Sequence, residues 1–407
     1  MNRELIGRNL PRVKEVNQFL IREKIYRRGP ISRIEIAESL GLTLPTITTN
    51  VNKMLANGII QELPDAKKTG RLGRHTMLVD ITPRSRLYMG VEIRRGFRRV
   101  VVVDLRGNVL SCASDEQRLN EYEDALANAA DLARKHLTNE IATVGICAPG
   151  LVDTTAGELI SLLGSVWKNK PIITDFAKLT GYTGEIIVIN NVIARAFGLS
   201  LFKHDLIKDA DNYAYMYVST GVACPLLSDV SEHFGTVVGE GEVGHMVMNP
   251  DGPECACGNH GCLGVYSSEQ FLLRGAKKAL EEGRAPVLEK IVGGKGKDFL
   301  IEDVMKAMEN GDPAVCQMLD EAIRYLGLAI ANIDNFVKPG CVAIECRYFN
   351  YEKYRKMLME VINRNLYRRT SIESRFVFLP EDQYSGAKGA AAFAIKNDFE
   401  SESMTGE

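Results

Sequence analysis

The chain has 407 residues, 45% of them hydrophobic and 25% charged, a composition that is typical of folded domains and excludes a disordered or fibrous chain. Its 50 basic and 52 acidic residues give a net charge of −2, but residues 1–80 hold 14 Lys and Arg against 8 Asp and Glu, a net charge of +6. A basic segment at one end of an otherwise acidic chain favours a nucleic-acid contact at that end.

The sequence shows neither a membrane span nor a secretion signal. No apolar run reaches the about 18–20 residues of a spanning helix, and no apolar stretch follows the charged N-terminus. We therefore expect a cytoplasmic protein without membrane insertion. Three of the nine cysteines lie within eight positions, and in a chain without an export signal such clustering favours a metal site over disulfides.

The first 80 residues predict a winged helix-turn-helix. The spacing of apolar residues predicts a first helix from Asn9 to Tyr26. Ser32 and Glu35 have the spacing of a capping box at the start of a second helix, and Gly41 suits the end of that helix. Two short helices joined by a tight turn are typical of a helix-turn-helix.

A third helix, capped by Thr43, is predicted to enter the major groove of DNA. We expect this helix to turn its polar residues outward, because short polar side chains reach base edges and an asparagine can pair with adenine. Together with Thr43, the residues predicted to contact DNA are Thr46, Thr49, Asn50 and Lys53.

A basic segment between two strand-like stretches predicts a wing. Residues 59–63 and 75–81 are strand-like, and the segment 65–74 between them is basic and contains glycine. Its cations are predicted to contact phosphates or to enter the minor groove. They are Lys67, Lys68, Arg71 and Arg74. The alternative, a three-helix packing module with a solvated loop, explains neither the polar helix face nor the basic wing.

The rest of the chain predicts an α/β fold with a ligand site. Apolar runs alternate with helical segments, which favours a mixed or parallel sheet, and polar residues follow these runs, as at the ligand sites of such sheets. The runs are 99–104, 141–147, 186–189 and 213–218. Helices are predicted over 269–282, 301–310, 313–336, 351–367 and 386–396, with a surface loop at 284–298 and a disordered tail at 400–407.

A C-x-C-x4-C pattern predicts a zinc site. Cys255, Cys257 and Cys262 are separated by glycines at 258 and 261, which permit the tight turns that bring three sulfurs together. Zinc prefers four nitrogen or sulfur ligands in a tetrahedron, and a site with four protein ligands is structural. The fourth ligand is His245 or His260 on this pattern alone. Three free core cysteines are the alternative, which leaves the glycine spacing unexplained.

Three segments resemble the ROK family, which unites repressors, open reading frames and sugar kinases. Residues 145–153 resemble the family's G-x-x-x-P-G-x-x-D segment, residues 241–246 with the cysteines resemble its signature, and residues 386–391 resemble its closing helix. The N-terminal module resembles the winged helix that the family's repressors carry and its kinases lack. The resemblance implies an actin-like, ribonuclease-H-like fold with two lobes and a sugar in the cleft.

The resemblance also implies domain boundaries and ligand residues. The domains are 1–80, a first lobe of 81–199 with 386–400, and a second lobe of 200–385 that carries the zinc. The implied zinc ligands are His245, Cys255, Cys257 and Cys262, and the implied effector contacts are Asn190, Asn191, Glu242 and His245. The family usually has Glu where this chain has Gly264, so one acceptor for sugar hydroxyls is missing. Trp167 either stacks on a sugar or packs in the core.

Three departures from the family's kinases predict that this chain is not an enzyme. Residues 92–96, Glu-Ile-Arg-Arg-Gly, stand where the kinases have D-x-G-G-T-K, and two arginine side chains disfavour close approach of the backbone to phosphates. Asn191 stands for the catalytic Asp, and an amide cannot accept the proton of a hydroxyl. Glu345 stands in a segment that is glycine-rich in the kinases.

The sequence therefore predicts a transcriptional regulator of carbohydrate metabolism, most simply a repressor controlled by a sugar or a sugar derivative. We expect it to bind a palindromic operator as a homodimer or a dimer of dimers. One alternative is a bifunctional sugar kinase and regulator. Another is a repressor controlled by a protein of the sugar-transport phosphotransferase system.

Overall fold

The structure, a computed structural model, describes residues 10–65, 77–207, 210, 212–228, 238–367 and 375–405. The chain divides into two compact units. Unit 1 comprises Met1–Ile160, Val166–His204 and Tyr384–Glu407, and unit 2 comprises Ser161–Ser165 and Asp205–Gln383. No helix within the described residues is long and apolar enough to cross a membrane.

Unit 1 begins with a helix-turn-helix and a small antiparallel sheet of strand order β1-β3-β2. Its elements are α1 (Leu10–Arg28), β1 (Ile31–Ser32), α2 (Arg33–Leu40), α3 (Leu44–Ala56), β2 (Ile60–Pro64) and β3 (Met77–Ile81). Ser32 and Glu35 form the predicted capping box, Gly41 ends α2 with φ 63°, and Thr43 caps α3. The predicted wing cations Lys67, Lys68, Arg71 and Arg74 lie outside the described residues.

The helix-turn-helix shares its core with the rest of unit 1. Ile25 and Ile47 of the N-terminal helices belong to one apolar cluster with Ile395 and Phe399, near the end of the chain. The ring of Tyr26 meets that of Phe399 edge to face at 5.7 Å. Burial of each large apolar side chain contributes about 1.5–3 kcal/mol, so these contacts tie the N-terminal helices to the α/β part. The predicted boundaries at 80/81, 199/200 and 385/386 stay predictions.

A five-stranded sheet forms the α/β part of unit 1. The elements are β4 (Leu87–Ile93), β5 (Arg98–Asp104), β6 (Val109–Asp115), α4 (Tyr122–Arg134), β7 (Ile141–Ala148), β8 (Leu151–Asp153), β9 (Glu158–Ser161), β10 (Lys168–Lys170), α5 (Ile172–Thr180), β11 (Glu185–Asn190) and α6 (Asn191–Phe202). The strand order is β11-β7-β4-β5-β6, in which β4, β7 and β11 are parallel and β5 and β6 antiparallel. The predicted mixed sheet is confirmed.

Unit 2 is built on a second sheet of strand order β13-β12-β15-β16, in which β12, β15 and β16 are parallel. Its elements are β12 (Asn212–Val218), β13 (Val222–Ala223), β14 (Leu226–Ser228), α7 (Gly264–Ser267), α8 (Glu269–Glu281), α9 (Pro286–Val292), α10 (Ile301–Glu309), α11 (Pro313–Val337), β15 (Cys341–Cys346), α12 (Glu352–Asn365) and β16 (Phe376–Leu379). The chain then returns to unit 1 as α13 (Ser385–Thr405).

Two sequence predictions for the C-terminal third are wrong. The segment 284–298 contains α9, because Pro286 begins a helix whose Leu288 is fully buried. The segment 400–407 was expected to be disordered, but α13 continues to Thr405. In both places a polar, glycine-containing or acidic composition concealed a helix.

Candidate functional site

The third helix of the helix-turn-helix, α3, buries one face and exposes the other. Ile47, Val51 and Met54 are buried by 99% or more, while Thr49 and Asn52 are exposed. Several polar groups of α3 bond within the helix itself. The hydroxyls of Thr43 and Thr46 lie 2.9 Å apart, and Thr49 donates a hydrogen bond of 3.0 Å to the carbonyl of Pro45.

Asn50 does not have the orientation that the sequence predicted. Its side chain is only 7% exposed, and its Nδ2 donates a 2.8 Å hydrogen bond to the carbonyl of Thr46, one turn earlier. Lys53 is half-buried. The sequence pattern misled because a polar residue was assumed to face solvent, whereas Asn50 follows the buried stripe through Ile47, Val51 and Met54.

Four metal-ligating side chains of unit 2 converge. The candidate ligand atoms of His245, Cys255, Cys257 and Cys262 all lie within 4.8 Å of one another. The Sγ of Cys255 is 3.6 Å from Nδ1 of His245, and the Sγ atoms of Cys257 and Cys262 are 3.8 Å apart. Sulfurs about 2.3 Å from a tetrahedral zinc ion are separated by about 3.8 Å. We refer to these four residues as the ligand cluster.

Two glycine turns and an aromatic stack hold the ligand cluster. Gly258 and Gly261 have φ of 94° and 63°, and a Cβ on Gly261 would overlap the carbonyl of Asn249. The residues after Cys262 form α7, whose Tyr266 stacks on Tyr325 of α11 at 4.0 Å between ring centroids. The predicted role of the two glycines in turning the chain is therefore visible in the backbone.

The thiols of the ligand cluster differ in acidity. A hydrogen bond from the backbone of Asn259 lowers the pKa of the exposed Cys257 to about 7. Burial raises the pKa of Cys262, which is fully enclosed, to about 12. A buried thiol of this kind ionises only beside a cation, and metal coordination deprotonates such a thiol outright. The donor set therefore fits a cation that prefers sulfur.

His260 lies outside the ligand cluster. It is exposed, and its Nδ1 is 3.3 Å from the carbonyl of Gly252. The structure therefore groups His245, and not His260, with the three cysteines.

Glu242 precedes the short turn Val243–His245 and is half-buried. Burial raises the pKa of its carboxyl, and the nearby His245 opposes that shift. Gly264 lies close to this turn, since a Cβ on it would stand 3.3 Å from the carbonyl of Gly244. The side-chain acceptor missing at 264 would therefore have stood next to the segment that carries Glu242.

Asn190 and Asn191 lie at the N-terminus of α6 in unit 1, and their amides differ. Asn190 caps the helix, accepting from the amides of Val192 and Ile193 at 2.8 and 3.2 Å, and donates to the carbonyl of Gly150 at 2.8 Å. Asn191 is 2% exposed, and its Nδ2 has no hydrogen-bond partner among the described residues. A buried donor without a partner costs about 1–3 kcal/mol, so Asn191 favours an acceptor supplied by a ligand or a water.

A buried ion pair that the sequence did not reveal stands one turn from Asn191. Arg195 donates to both carboxylate oxygens of Glu92, at 3.0 and 3.3 Å, and the two side chains are 3% and 0% exposed. Arg195 also donates to the carbonyl of Asn191 at 3.3 Å. The available signal was that Arg195 is the only charged residue of α6. We refer to Glu92 and Arg195 as the buried ion pair.

Two further predicted residues are bound within their own units. Trp167 is 1% exposed and donates from Nε1 to the carbonyl of Asn120 at 2.7 Å, so it packs in the core. Glu345 is 8% exposed and accepts a hydrogen bond from the hydroxyl of Tyr215 on the neighbouring strand.

Comparisons with known proteins find relatives among regulators and kinases of the ROK family. A model of the ROK family matches residues 88–397, and a model of the MarR family matches residues 15–67. The xylose repressor of Bacillus subtilis strain 168 is 25% identical, over 82% of this chain and 82% of its own length. The DNA-binding transcriptional dual regulator NagC of Escherichia coli K12 is 26% identical, over 83% of this chain and 81% of its own length.

Solved structures share the fold. A ROK family transcriptional regulator described as a homolog of the E. coli MLC protein aligns with a TM-score of 0.74 at 23% identity, over 96% of this chain and 97% of that one. A ROK family glucokinase from Streptomyces griseus, solved with glucose and AMPPNP, aligns with a TM-score of 0.65 at 23% identity, over 75% of this chain and 98% of the kinase. The fold is an N-terminal helix-turn-helix followed by the actin-like fold of sugar kinases.

Proposed function

We propose that this chain, which belongs to the ROK family, is a DNA-binding transcriptional repressor that responds to a carbohydrate and lacks sugar kinase activity. The observation that carries the proposal is the combination of a helix-turn-helix with a kinase-like fold in which Glu92 is held by Arg195. The two relatives named as a xylose repressor and NagC support it, each matching more than four fifths of this chain.

The DNA-binding half rests on the N-terminal module. It matches the MarR family over residues 15–67, and residues 1–80 carry a net charge of +6. A positive charge favours binding to the phosphate backbone, and α3 supplies the helix for the major groove. The protein would bind a palindromic operator as a homodimer or a dimer of dimers, since two-fold proteins read two half-sites.

The absence of kinase activity is supported by the chemistry of unit 1. Both carboxylate oxygens of Glu92 are bonded to Arg195, and Arg94 lies 3.9 Å from the same carboxylate. Glu92 is therefore neutralised by the chain's own cations, which weakens its attraction for a metal–nucleotide complex. Asn191 supplies an amide where a general base is needed, and an amide cannot take the proton of a sugar hydroxyl.

The effector half rests on polar groups that suit hydroxyl-bearing ligands. The Nδ2 of Asn191 is a buried donor, and the carboxylate of Glu242 is a half-buried acceptor. Each is a candidate contact in its own unit, and each is tested by its own variant. His245 would act mainly as the fourth ligand of a structural Zn²⁺, which the ligand cluster would hold and whose part is to fix the turn after Glu242.

A selection followed by a titration tests the proposal. Full-length protein would select duplexes from a randomised DNA library, and the selected operator would then be titrated in the presence of a panel of sugars and sugar phosphates. We expect one sugar class to change operator affinity, and Asn191→Ala or Glu242→Ala to reduce that response, while the exposed Glu281→Ala leaves it intact.

Three outcomes contradict separate parts of the proposal. If the double variant Arg71→Ala/Arg74→Ala binds the operator with unchanged affinity and salt dependence, the predicted contact between the wing and DNA is wrong. Transfer of phosphate from ATP to any sugar of the panel overturns the non-kinase half. If no sugar changes operator affinity, the effector half fails, and Gly264 becomes the first position to examine.

A further inference from the structure

We infer that Asn52, and not Asn50, is the asparagine of α3 that reads a base pair of the operator. The inference rests on the proposed function, namely that α3 enters the major groove of DNA. It concerns which side chain supplies sequence preference, a role for which the sequence pattern predicted Asn50.

The two asparagines lie on opposite sides of α3. An α-helix turns about 100° per residue, so positions 50 and 52 differ by about 200°. Asn50 lies on the buried side with Ile47 and Val51, and it is 7% exposed. Asn52 lies on the exposed side, with Thr49. A side chain on the buried side of a recognition helix cannot reach a base edge while the helix remains packed.

The hydrogen bonds separate the candidates further. The Nδ2 of Asn50 is bound to the carbonyl of Thr46 at 2.8 Å, and the hydroxyl of Thr49 is bound to the carbonyl of Pro45 at 3.0 Å. No group among the described residues bonds to the carboxamide of Asn52. That carboxamide offers one acceptor and two donors, the set that pairs bidentately with N6 and N7 of adenine.

The surroundings of Asn52 suit a duplex as the occupant of this face. Its neighbours Thr48, Thr49 and Ala56 on α3 are small, and the larger half-buried Leu55 packs against the apolar core, so Asn52 can approach the floor of a groove. The half-buried Lys53 adjoins them, and residues 1–80 carry a net charge of +6, complementary to a phosphate backbone.

The test compares two substitutions of the same residue type two positions apart. Full-length wild-type protein, Asn52→Ala and Asn50→Ala would each select duplexes from one library with a randomised core. We expect wild type to enrich adenine at one position of each half-site, and Asn52→Ala to lose that preference alone. Affinity of Asn52→Ala for the wild-type sequence should fall about 10- to 100-fold, with an unchanged salt slope because phosphate contacts remain.

The Asn50→Ala variant is the matched control. It should keep the adenine preference and show a lower unfolding midpoint, because it loses the hydrogen bond to Thr46. Retention of the adenine preference in Asn52→Ala overturns the inference while leaving DNA binding intact, as does its loss in a folded Asn50→Ala. If the wild-type protein enriches no sequence at all, the proposed function fails and the inference fails with it.

Discussion

The ligand cluster of unit 2 and the buried ion pair of unit 1 are both compact groups of polar side chains, but they differ in what they need. The ion pair supplies its own counter-charge, since Arg195 donates to both oxygens of Glu92. The ligand cluster brings three thiols and an imidazole, all of them metal-ligating groups, within 4.8 Å of one another. One arrangement therefore calls for an ion from outside, and the other supplies its own counter-charge.

This difference bears on whether each group of side chains can bind an added ion. Four nitrogen and sulfur donors are the ligand set of a structural zinc site, so the ligand cluster could hold a metal ion. A buried carboxylate whose two oxygens both accept from a guanidinium already has its charge balanced within the chain, which weakens its attraction for a metal–nucleotide complex. Four measurements test this difference, from the largest expected effect to the smallest.

Removal of one sulfur from the ligand cluster should have the largest effect. Wild-type protein prepared without chelator is expected to contain about one zinc per chain. Cys262→Ser should lose most of that zinc, because it removes one of the four nitrogen and sulfur ligands that a tetrahedral structural site needs. Elemental analysis and calorimetric melting would measure both consequences, and we expect Tm to fall by roughly 10 °C.

The exposed His260 provides the control for this prediction. His260→Ala should keep the zinc and the melting temperature. Wild-type protein that contains no zinc would show that the ligand cluster is not a zinc site. Zinc that is lost in His260→Ala but kept in His245→Ala would show that His260, and not His245, is the fourth ligand.

Breaking the buried ion pair should be the next largest effect. Glu92→Ala leaves Arg195 buried without its partner, and such a change typically costs about 3–5 kcal/mol. Urea unfolding would measure it. The exposed pair Arg134–Asp131, in which both side chains are more than half exposed, is the matched control, and Arg134→Ala should cost less than about 1 kcal/mol.

A double variant then sharpens the comparison. Glu92→Leu with Arg195→Leu should recover part of the stability, since replacement of both partners removes the uncompensated charge. A Glu92→Ala variant as stable as wild type would show that Glu92 and Arg195 are not paired in solution. The carboxylate of Glu92 would then be available to bind a metal–nucleotide complex.

The substitution Gly386→Ala should disturb the buried ion pair without removing a charge. A Cβ on this residue of α13 would overlap both the guanidinium of Arg195 and the carboxylate of Glu92. Overpacking of this kind costs about 1–3 kcal/mol. Gly96→Ala is the control, because its Cβ meets nothing within 4 Å. Equal unfolding free energies of Gly386→Ala and Gly96→Ala would contradict the close packing of Gly386 against the buried ion pair.

The ligand cluster should also depend on pH. The pKa of Cys257 is lowered to about 7 and that of Cys262 raised to about 12. Between pH 7 and pH 12 zinc therefore displaces the proton of Cys262, and below pH 7 it must displace the proton of Cys257 as well. Apparent zinc affinity falls about tenfold per pH unit for each displaced proton, so the slope should steepen as pH falls through 7. Competition with a chromophoric chelator from pH 6 to pH 8.5 measures that slope; a constant slope contradicts the assignment.

The parts of the molecule that the sequence predicted well are those encoded by neighbouring residues. The capping box of Ser32 and Glu35, the left-handed Gly41 and the glycine turns between the cysteines need only a few positions of sequence. The choice of His245 came from the resemblance to a family, since spacing alone left His260 open. The function itself stays a proposal, supported by relatives that are repressors.

The sequence by itself determined the three cysteines of the ligand cluster, the helix-turn-helix and five helices of the C-terminal third, because short-range hydrogen bonds and periodicity specify them. Only the tertiary structure decided which face of α3 is buried, and therefore that Asn50 points inward. It alone joined Glu92 to Arg195, which stand 103 residues apart. Contacts between distant residues depend on how strands and helices pack, and the residue pattern along one helix or strand does not indicate which other element it packs against.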